Sequence, residues 1–444
     1  MSSSFNVTSK DYSLVFTASA TDSLNKLAHY LQGITEFVYH PHSHTSVIGI
    51  RYTFLQKHIK CTESKIPPSH HSALFAYPAQ CNATGIRFPL VEKNCLTLCD
   101  VSSLLTTATL SLSKIKPSFL VFSFYKLFGF PTGLGCLLVK KEVEHMIQPD
   151  YFGGGNVVLV DRSLTKFKKS LSDRLEHGTL NFQGILGLKG CYGYVDRVFG
   201  GFEGVSRHAL YLRRRMVDRM MFLQHYHDGP VIEFAFDNDK VEYGPIIMFW
   251  VIGLDGQRVG AEVVMSLASL NRIHLRGGCF CNPGTCEDSK EENDDIEERQ
   301  CGFRNGKGSL RVSFGMSSSK SDIDAFIQFI ETYFVIKDQV LNVESEEKKV
   351  FVVDELFIYP IKSCAAMKVD NIEMGSNGFK FDRMWMLVDS NDRPLKLRRH
   401  LRMLEIKVLK VDAFEMLIDV GGNEIVVSSK NDDAVKELTV CGTK

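Results

Sequence analysis

The chain has 444 residues, 44% hydrophobic and 23% charged, and its 52 basic and 52 acidic side chains leave no formal net charge. That length accommodates two or three domains and the composition is globular, while the balanced charge argues against nucleic acid or an anionic membrane surface as the main partner. The N-terminus, MSSSFNVTSKDYS, has no apolar signal core, and no uncharged run reaches the roughly 18 residues of a membrane span. A cytoplasmic protein is expected, with its twelve cysteines as reduced thiols rather than a disulfide framework.

In chain order, SLVF (13–16) reads as a strand. It leads through the small residues Ser19, Ala20 and Thr21 into a helix with Leu24, Leu27, Ala28 and Leu31 on one face. NCLTLCD is an apolar run that ends in Asp100. SFLVFSFYKLFGFPTGLGCLLV (118–139) holds two runs of buried-strand length around one charged residue, Lys126, with a Gly/Pro turn after it. Residues 209–223 place Ala209, Leu212, Met216, Met220 and Leu223 on a helical stripe. SKSDIDAFIQFIETYF opens with Ser321 and Asp324 in capping-box spacing and repeats Ile323, Phe326, Ile327 and Ile330 at helical period. Alternating strands and helices predict an α/β fold with a largely parallel sheet. Residues 287–300, EDSKEENDDIEERQ, read as a solvated acidic loop, and the polar run 338–349 as a boundary. Beyond it, VFVVDELFIYPIKSC and EMLIDVGGNEIVV (415–427) read as short strands of a β-rich module. The expected domains are therefore 1–336 and 350–444, with a linker at 337–349.

Lys126 calls for a chemical reason. A buried ammonium is costly to desolvate, and a neutral amine is a nucleophile. The functional reading is a Schiff-base lysine, most economically one holding pyridoxal phosphate (PLP); the bland one is a strand-end lysine that reaches out to water. PLP chemistry also needs an acid at the pyridine nitrogen, and a parallel strand would deliver Asp100 to the carboxyl edge of the sheet. It needs a phosphate cradle, which the backbone N–H groups and hydroxyl of Ser19 to Thr21 at a helix start provide. A ring over the cofactor is supplied by His44. Taken singly, Asp100 also reads as a turn residue, Ser19 to Thr21 as an N-cap, and His44 as a surface histidine. LRGGCFCNPGTC (275–286) has two readings as well. Cys279, Cys281 and Cys286, with Cys301 or His274, would make a zinc knuckle, although C-x-C is unlike the usual C-x2-C. A cysteine on an exposed Gly/Pro loop beside Arg276 would instead be a sulfur nucleophile, the thiolate being the reactive form.

Together HTSVIGIR (44–51), FAYPAQCNATGIRFP (75–89), SFYKLFGFPTGLG (123–135), LEHGTLNF (175–182) and RGGCFCNPGTC (276–286) resemble the fold type I, PLP-dependent cysteine desulfurases. The likeness is greatest to the N-terminal domain of molybdenum cofactor sulfurases. LFIYPIKSC (356–364) and GFKFDRMWMLVD (378–389) look like the β-barrel segment that precedes the MOSC domain in the same family. The resemblance implies a PLP fold type I domain followed by a partial β-barrel module.

It also implies roles. Lys126 would hold PLP and then shuttle a proton. Asp100 would pair with the pyridine nitrogen, His44 stack on the ring, and Asn82 bond near the phenolic oxygen or the substrate. Thr21 and Ser123 would hold the phosphate, Thr179 would reach the phosphate of the neighbouring subunit in a homodimer, and Arg311 would clamp the substrate carboxylate. Cys281, rather than Cys279, would take sulfur from L-cysteine as a persulfide. The family passes that sulfur to the molybdenum cofactor used by xanthine dehydrogenase and aldehyde oxidase. Against family members, the chain is expected to be truncated at both ends, without the segment before the phosphate loop and without the MOSC domain. An inactive scaffold or binding module and a general cysteine desulfurase are the other functional readings.

Overall fold

Ala73–Pro78 (ALFAYP), Phe119–Ser123 (FLVFS) and Gly135–Lys140 (GCLLVK) carry no polar face. In the computed structural model of the chain they are strands buried nearly throughout, as strands covered by helices on both sides must be. The structure describes residues 8–226, 229–235, 241–287, 308–337, 353–375, 378–390, 393–395, 397, 400–412 and 415–428. The chain divides into two compact units, Met1–Gln339 and Val340–Lys444.

The first unit opens with β1 (Tyr12–Thr17), α1 (Ala20–Tyr30), β2 (Glu36–Tyr39), α2 (Thr45–Ile48), α3 (Ile50–Gln56), β3 (Lys60–Glu63), β4 (Ala73–Pro78), β5 (Leu96–Asp100) and β6 (Phe119–Ser123). It then reaches β7 (Gly135–Lys140) through the short helix α4 (Phe124–Phe128). These strands form one sheet in the order β1-β7-β6-β5-β4-β2-β3. Strands β2 to β6 run parallel, and β7 is antiparallel to both β6 and β1. The expected α/β fold with a mostly parallel sheet is what the chain adopts. In consequence Thr17, Tyr39, Pro78, Asp100 and Ser123 end their strands at one edge, where Gly135 begins β7 opposite Thr17 and Ser123.

A hairpin, β8 (Val157–Val160) and β9 (Thr165–Phe167), and helices α5 (Leu171–Leu175), α6 (Phe182–Phe199) and α7 (Phe202–Met221) follow. One face of the sheet buries Phe75, Tyr77 and Phe122 against Leu188, Val195 and Val205 of α6 and α7. The other buries Leu74, Leu98 and Leu137 against Leu24 and Leu27 of α1. A second, antiparallel sheet, β10-β11-β13-β12, is built from β10 (Ile232–Phe234), β11 (Ile246–Val251), β12 (Arg276–Gly277) and β13 (Leu310–Ser313). The remaining helices are α8 (Ala261–Leu270), α9 (Pro283–Glu287) and α10 (Lys320–Tyr333).

The capping box of α10 lies two residues earlier than Ser321 and Asp324. Ser319 is the extended N-cap, its hydroxyl accepts from Asp322 N at 3.3 Å, and the Asp322 carboxylate accepts from Ser319 N at 2.7 Å. Both pairs have the same spacing. Asp324 instead pairs with Arg219 of α7, which a sequence pattern cannot register. The acidic run beyond Glu287 and the polar run 338–349 lie outside the described residues.

The second unit holds the antiparallel pairs β14 (Leu356–Ile358) with β15 (Met367–Val369) and β16 (Met374–Gly375) with β17 (Gly378–Phe379). Its three-stranded sheet runs β18 (Ile406–Val411), β19 (Glu415–Val420) and β20 (Asn423–Ser428). Its core gathers Ile361, Cys364, Met403, Val408, Met416 and Ile418. Among the described residues no helix is long and apolar enough to cross a membrane.

Gly135 is fixed by close approach. A Cβ there would stand 2.3 Å from the carbonyl carbon of Ser19 and 2.6 Å from its Cα. Substitution G135A should therefore lower stability by about 1–3 kcal/mol, read as a lower urea midpoint at unchanged m-value. An unchanged midpoint would contradict this packing of the Ser19 turn on β7.

Candidate active site at the carboxyl edge of the sheet

The first part of the site is the turn between β1 and α1. Ser19 is the extended N-cap of α1, and its hydroxyl accepts from Asp22 N at 3.1 Å. Ala20 N donates to Ser123 Oγ at 2.8 Å, and the Thr21 and Ser46 hydroxyls bond at 2.9 Å. The turn thus joins the ends of β1 and β6 to α2. Ser123 thus meets the turn at Ala20, next to Thr21, and Thr21 meets Ser46, which sequence reading missed. The start of an eleven-residue helix with the Thr21, Ser46 and Ser123 hydroxyls beside it suits an anion. Those donors fit the phosphate of PLP.

The second part is Lys126, Asp100 and His44. Lys126 is the third residue of α4, a five-residue helix that Gly129 closes in the left-handed region at φ 77°. The side chain is half-buried, with Nζ 5.9 Å from the Tyr125 ring centroid. It is therefore a residue of a helical turn beyond β6 and not a strand-end lysine. Asp100 is the last residue of β5, half-buried, and its Oδ1 accepts from Ser102 N at 2.9 Å. His44 is the N-cap of α2, with Nδ1 accepting from Ser46 N at 3.1 Å. Burial holds the His44 imidazole below its ordinary pKa; Asp100 acts to raise it, and Lys126 and Arg276 to lower it. The imidazole thus feels the charge of all three groups.

The third part is the cysteine loop. Cys281 is exposed, and Arg276 Nη2 approaches its Sγ at 3.4 Å. Asn82 Nδ2 donates to Phe280 O at 2.7 Å, and Thr45 N donates to Cys281 O at 2.8 Å. Arg311, on β13, donates from Nη1 to Asn82 O at 2.6 Å, while its buried Nε has no hydrogen bond. Burial first, and the Arg276 charge second, bring the Arg311 guanidinium down to about 10. A desolvated guanidinium with an unused donor is a receptor for a carboxylate. Beneath the loop, burial pushes the Cys81 thiol up, but hydrogen bonds from His42 and Thr84 outweigh it and leave the thiol below its ordinary range.

Thr179 is exposed, on the segment where Glu176 accepts from Phe16 N at 2.7 Å and His177 Nε2 lies 3.3 Å from Lys26 Nζ. It stands apart from the Ser123 and Thr21 hydroxyls in its hydrogen bonding. For the zinc reading, Cys279 is disulfide-bonded and so not a free thiolate, His274 is exposed, and Cys301 lies outside the described residues. Among the described residues no group of three or more His, Cys, Asp or Glu side chains is arranged to hold a metal ion.

Comparison with known proteins bears on the family and the fold. The aminotransferase class-V family model matches residues 3–326, and that of the MOSC N-terminal beta barrel domain matches 350–443. Molybdenum cofactor sulfurase 3 of Aedes aegypti is 32% identical over 496 residues, covering 99% of this chain and 64% of its own length. Molybdenum cofactor sulfurase of Aspergillus niger is 32% identical over 514 residues, covering 99% and 62%. The chain thus spans less than two thirds of these relatives. Among solved structures, the apo cysteine desulfurase of Thermococcus onnurineus superposes with TM-score 0.61 at 20% identity, covering 74% of this chain and 81% of that one. A cysteine desulfurase of Escherichia coli gives 0.59 at 19%, with the same coverage. The first unit therefore has the cysteine desulfurase fold.

Removing a cation near His44 should raise its titration midpoint, and removing Asp100 should lower it. In cofactor-free protein followed by histidine NMR, K126M and R276Q are expected to move the midpoint up and D100N to move it down. An unmoved midpoint in all three would contradict their convergence on this ring.

Proposed function

Because the chain belongs to the aminotransferase class-V family, we propose that its first unit binds PLP through Lys126 and desulfurates L-cysteine, loading the sulfur on Cys281. In the whole protein that sulfur passes to the molybdenum cofactor, as the names of the relatives suggest. The observation that carries the reading is the loop of Cys281 hydrogen-bonded to Asn82 and to Thr45, the residue that follows His44 in the chain.

When bound, PLP supplies an electron sink for negative charge at the substrate α-carbon. The protein supplies the rest. Asp100 at the end of β5 would pair with the pyridine nitrogen, and His44 would stack on the ring. The α1 turn with Thr21 and Ser123 takes the phosphate. Asn82 bonds near the phenolic oxygen or the substrate, and Arg311 turns its free Nε–H to the substrate carboxylate. The Lys126 amine would hold PLP and serve as the base that moves the proton at the substrate α-carbon. Cys281 would attack the cysteine sulfur as a thiolate: an S–S bond forms, the substrate C–S bond breaks with its electron pair on carbon, that carbon takes up the proton released by the Cys281 thiol, and the three-carbon product leaves as alanine.

Molybdenum cofactor as acceptor, with xanthine dehydrogenase and aldehyde oxidase as final recipients, is favoured over general desulfuration by the MOSC N-terminal match at 350–443. A homodimer, with Thr179 reaching the other subunit's phosphate, is supported by the exposed apolar side chains Val158, Leu159 and Val160 on β8 and Phe182 and Leu186 on α6. A cytoplasmic setting is supported by free thiols at Cys61, Cys81, Cys99 and Cys136, while the disulfide at Cys279 departs from the expectation of reduced thiols throughout.

With PLP and L-cysteine, the protein should release alanine and carry a persulfide on Cys281, detectable by peptide mass analysis after alkylation. C281S should abolish both. Equal sulfur loading in C281S would overturn the assignment of the nucleophile.

A further inference from the structure

Cys281 and Phe280 are consecutive non-glycine residues in the left-handed backbone region, with φ of 55° and 53°. Such a conformation costs on the order of 1–3 kcal/mol per residue and persists only where the surroundings dictate it. The surroundings here centre on the next residue. Asn282 is wholly buried although Cys281 is exposed. Its backbone N–H donates to Cys279 O at 2.8 Å, and its carbonyl accepts from Thr285 Oγ1 at 2.9 Å. Its side-chain Nδ2 faces three acceptors, Asn82 Oδ1 at 3.0 Å, His42 O at 3.0 Å and Cys81 Sγ at 3.4 Å. The loop is drawn in so far that a Cβ on Gly284 would stand 2.3 Å from Pro41 O.

Asn82 therefore holds both neighbours of the nucleophile. Its Nδ2 donates to Phe280 O, and its Oδ1 accepts from Asn282 Nδ2. Its own carbonyl accepts from Arg311. We propose that Asn282 is a positioning residue for Cys281: its side-chain amide hangs the cysteine loop on Asn82, so that the residue facing the substrate also sets where the attacking thiol stands. This rests on the desulfurase reading above. Asn282 touches no reacting atom; it acts through the turn that carries Cys281. An amide is required, because the two Nδ2 hydrogens point at acceptors, Asn82 Oδ1 and His42 O at 3.0 Å with Cys81 Sγ beyond them at 3.4 Å, and a carboxylate in its place would meet them as a further acceptor.

The test uses the whole chain with N282A, N282D and T285V. The last removes a hydrogen bond from the same buried turn and leaves the amide in place. In cofactor-free protein, hydrogen exchange of peptides covering 279–285 and Thr45 should accelerate at least tenfold in N282A and N282D and much less in T285V. With PLP loaded, the absorbance change on adding L-cysteine and the KM should stay within about twofold of wild type, while sulfur loading on Cys281 slows at least tenfold in N282A and N282D. The inference is overturned if both variants exchange and load sulfur as wild type does, if T285V matches them, or if KM and the absorbance change fail in step with sulfur loading. A wild-type chain that shows no absorbance change with L-cysteine would sink the desulfurase reading instead. The exchange comparison would then still decide whether Asn282 holds the loop.

Discussion

An apolar sheet covered on both faces leaves polar side chains only its ends, and the site follows from that constraint. Phe75, Tyr77, Phe122, Leu74, Leu98 and Leu137 fill the two faces, so a charge placed mid-strand would be desolvated without a partner. Asp100 escapes that cost because it ends its strand, and the buried Ser123 hydroxyl is satisfied by the Ala20 N–H. Lys126 escapes it because α4 lifts it one turn past β6. Parallel pairing then gathers residues distant in sequence at one edge, the usual place for a ligand in an open α/β sheet. The single antiparallel strand, β7, brings Gly135 to the same edge and lets the phosphate turn lie against it.

A second constraint is the hydrogen-bond capacity of Asn82. Its amide and carbonyl together meet Phe280, Asn282 and Arg311, so the strand that carries Arg311 and the loop that carries Cys281 share one junction. In buried surroundings such amide networks have few alternative arrangements. A loop rich in Gly and Pro can therefore hold a thiol in a left-handed backbone without being stiff in itself.

Much of this was legible in the chain before its fold was known, for local reasons. Lys126 stands out because a charge interrupts two apolar runs, Asp100 because it ends one, and Ser19 to Thr21 because strand, small residues and helix follow directly. Contacts closed over long separations were not legible. Ser46 meeting Thr21, Gly135 meeting Ser19, and Asn282 meeting Asn82 depend on how strands are ordered in the sheet. No spacing in the chain encodes those meetings. The misplaced start of α10 is the same lesson at short range. Ser319 and Ser321 offer the same pattern, and the Arg219 partner of Asp324 is a tertiary fact. The roles of Thr179 and of a second subunit came from family resemblance and not from any pattern in the residues.

The central claim is that Lys126 is a cofactor lysine. Its most direct measurement is borohydride reduction of the purified chain after incubation with PLP, followed by peptide mass analysis. The account predicts a pyridoxyl group on the peptide containing Lys126 and its loss in K126M. A folded protein with no adduct, or with the adduct on surface lysines in equal measure, would contradict it.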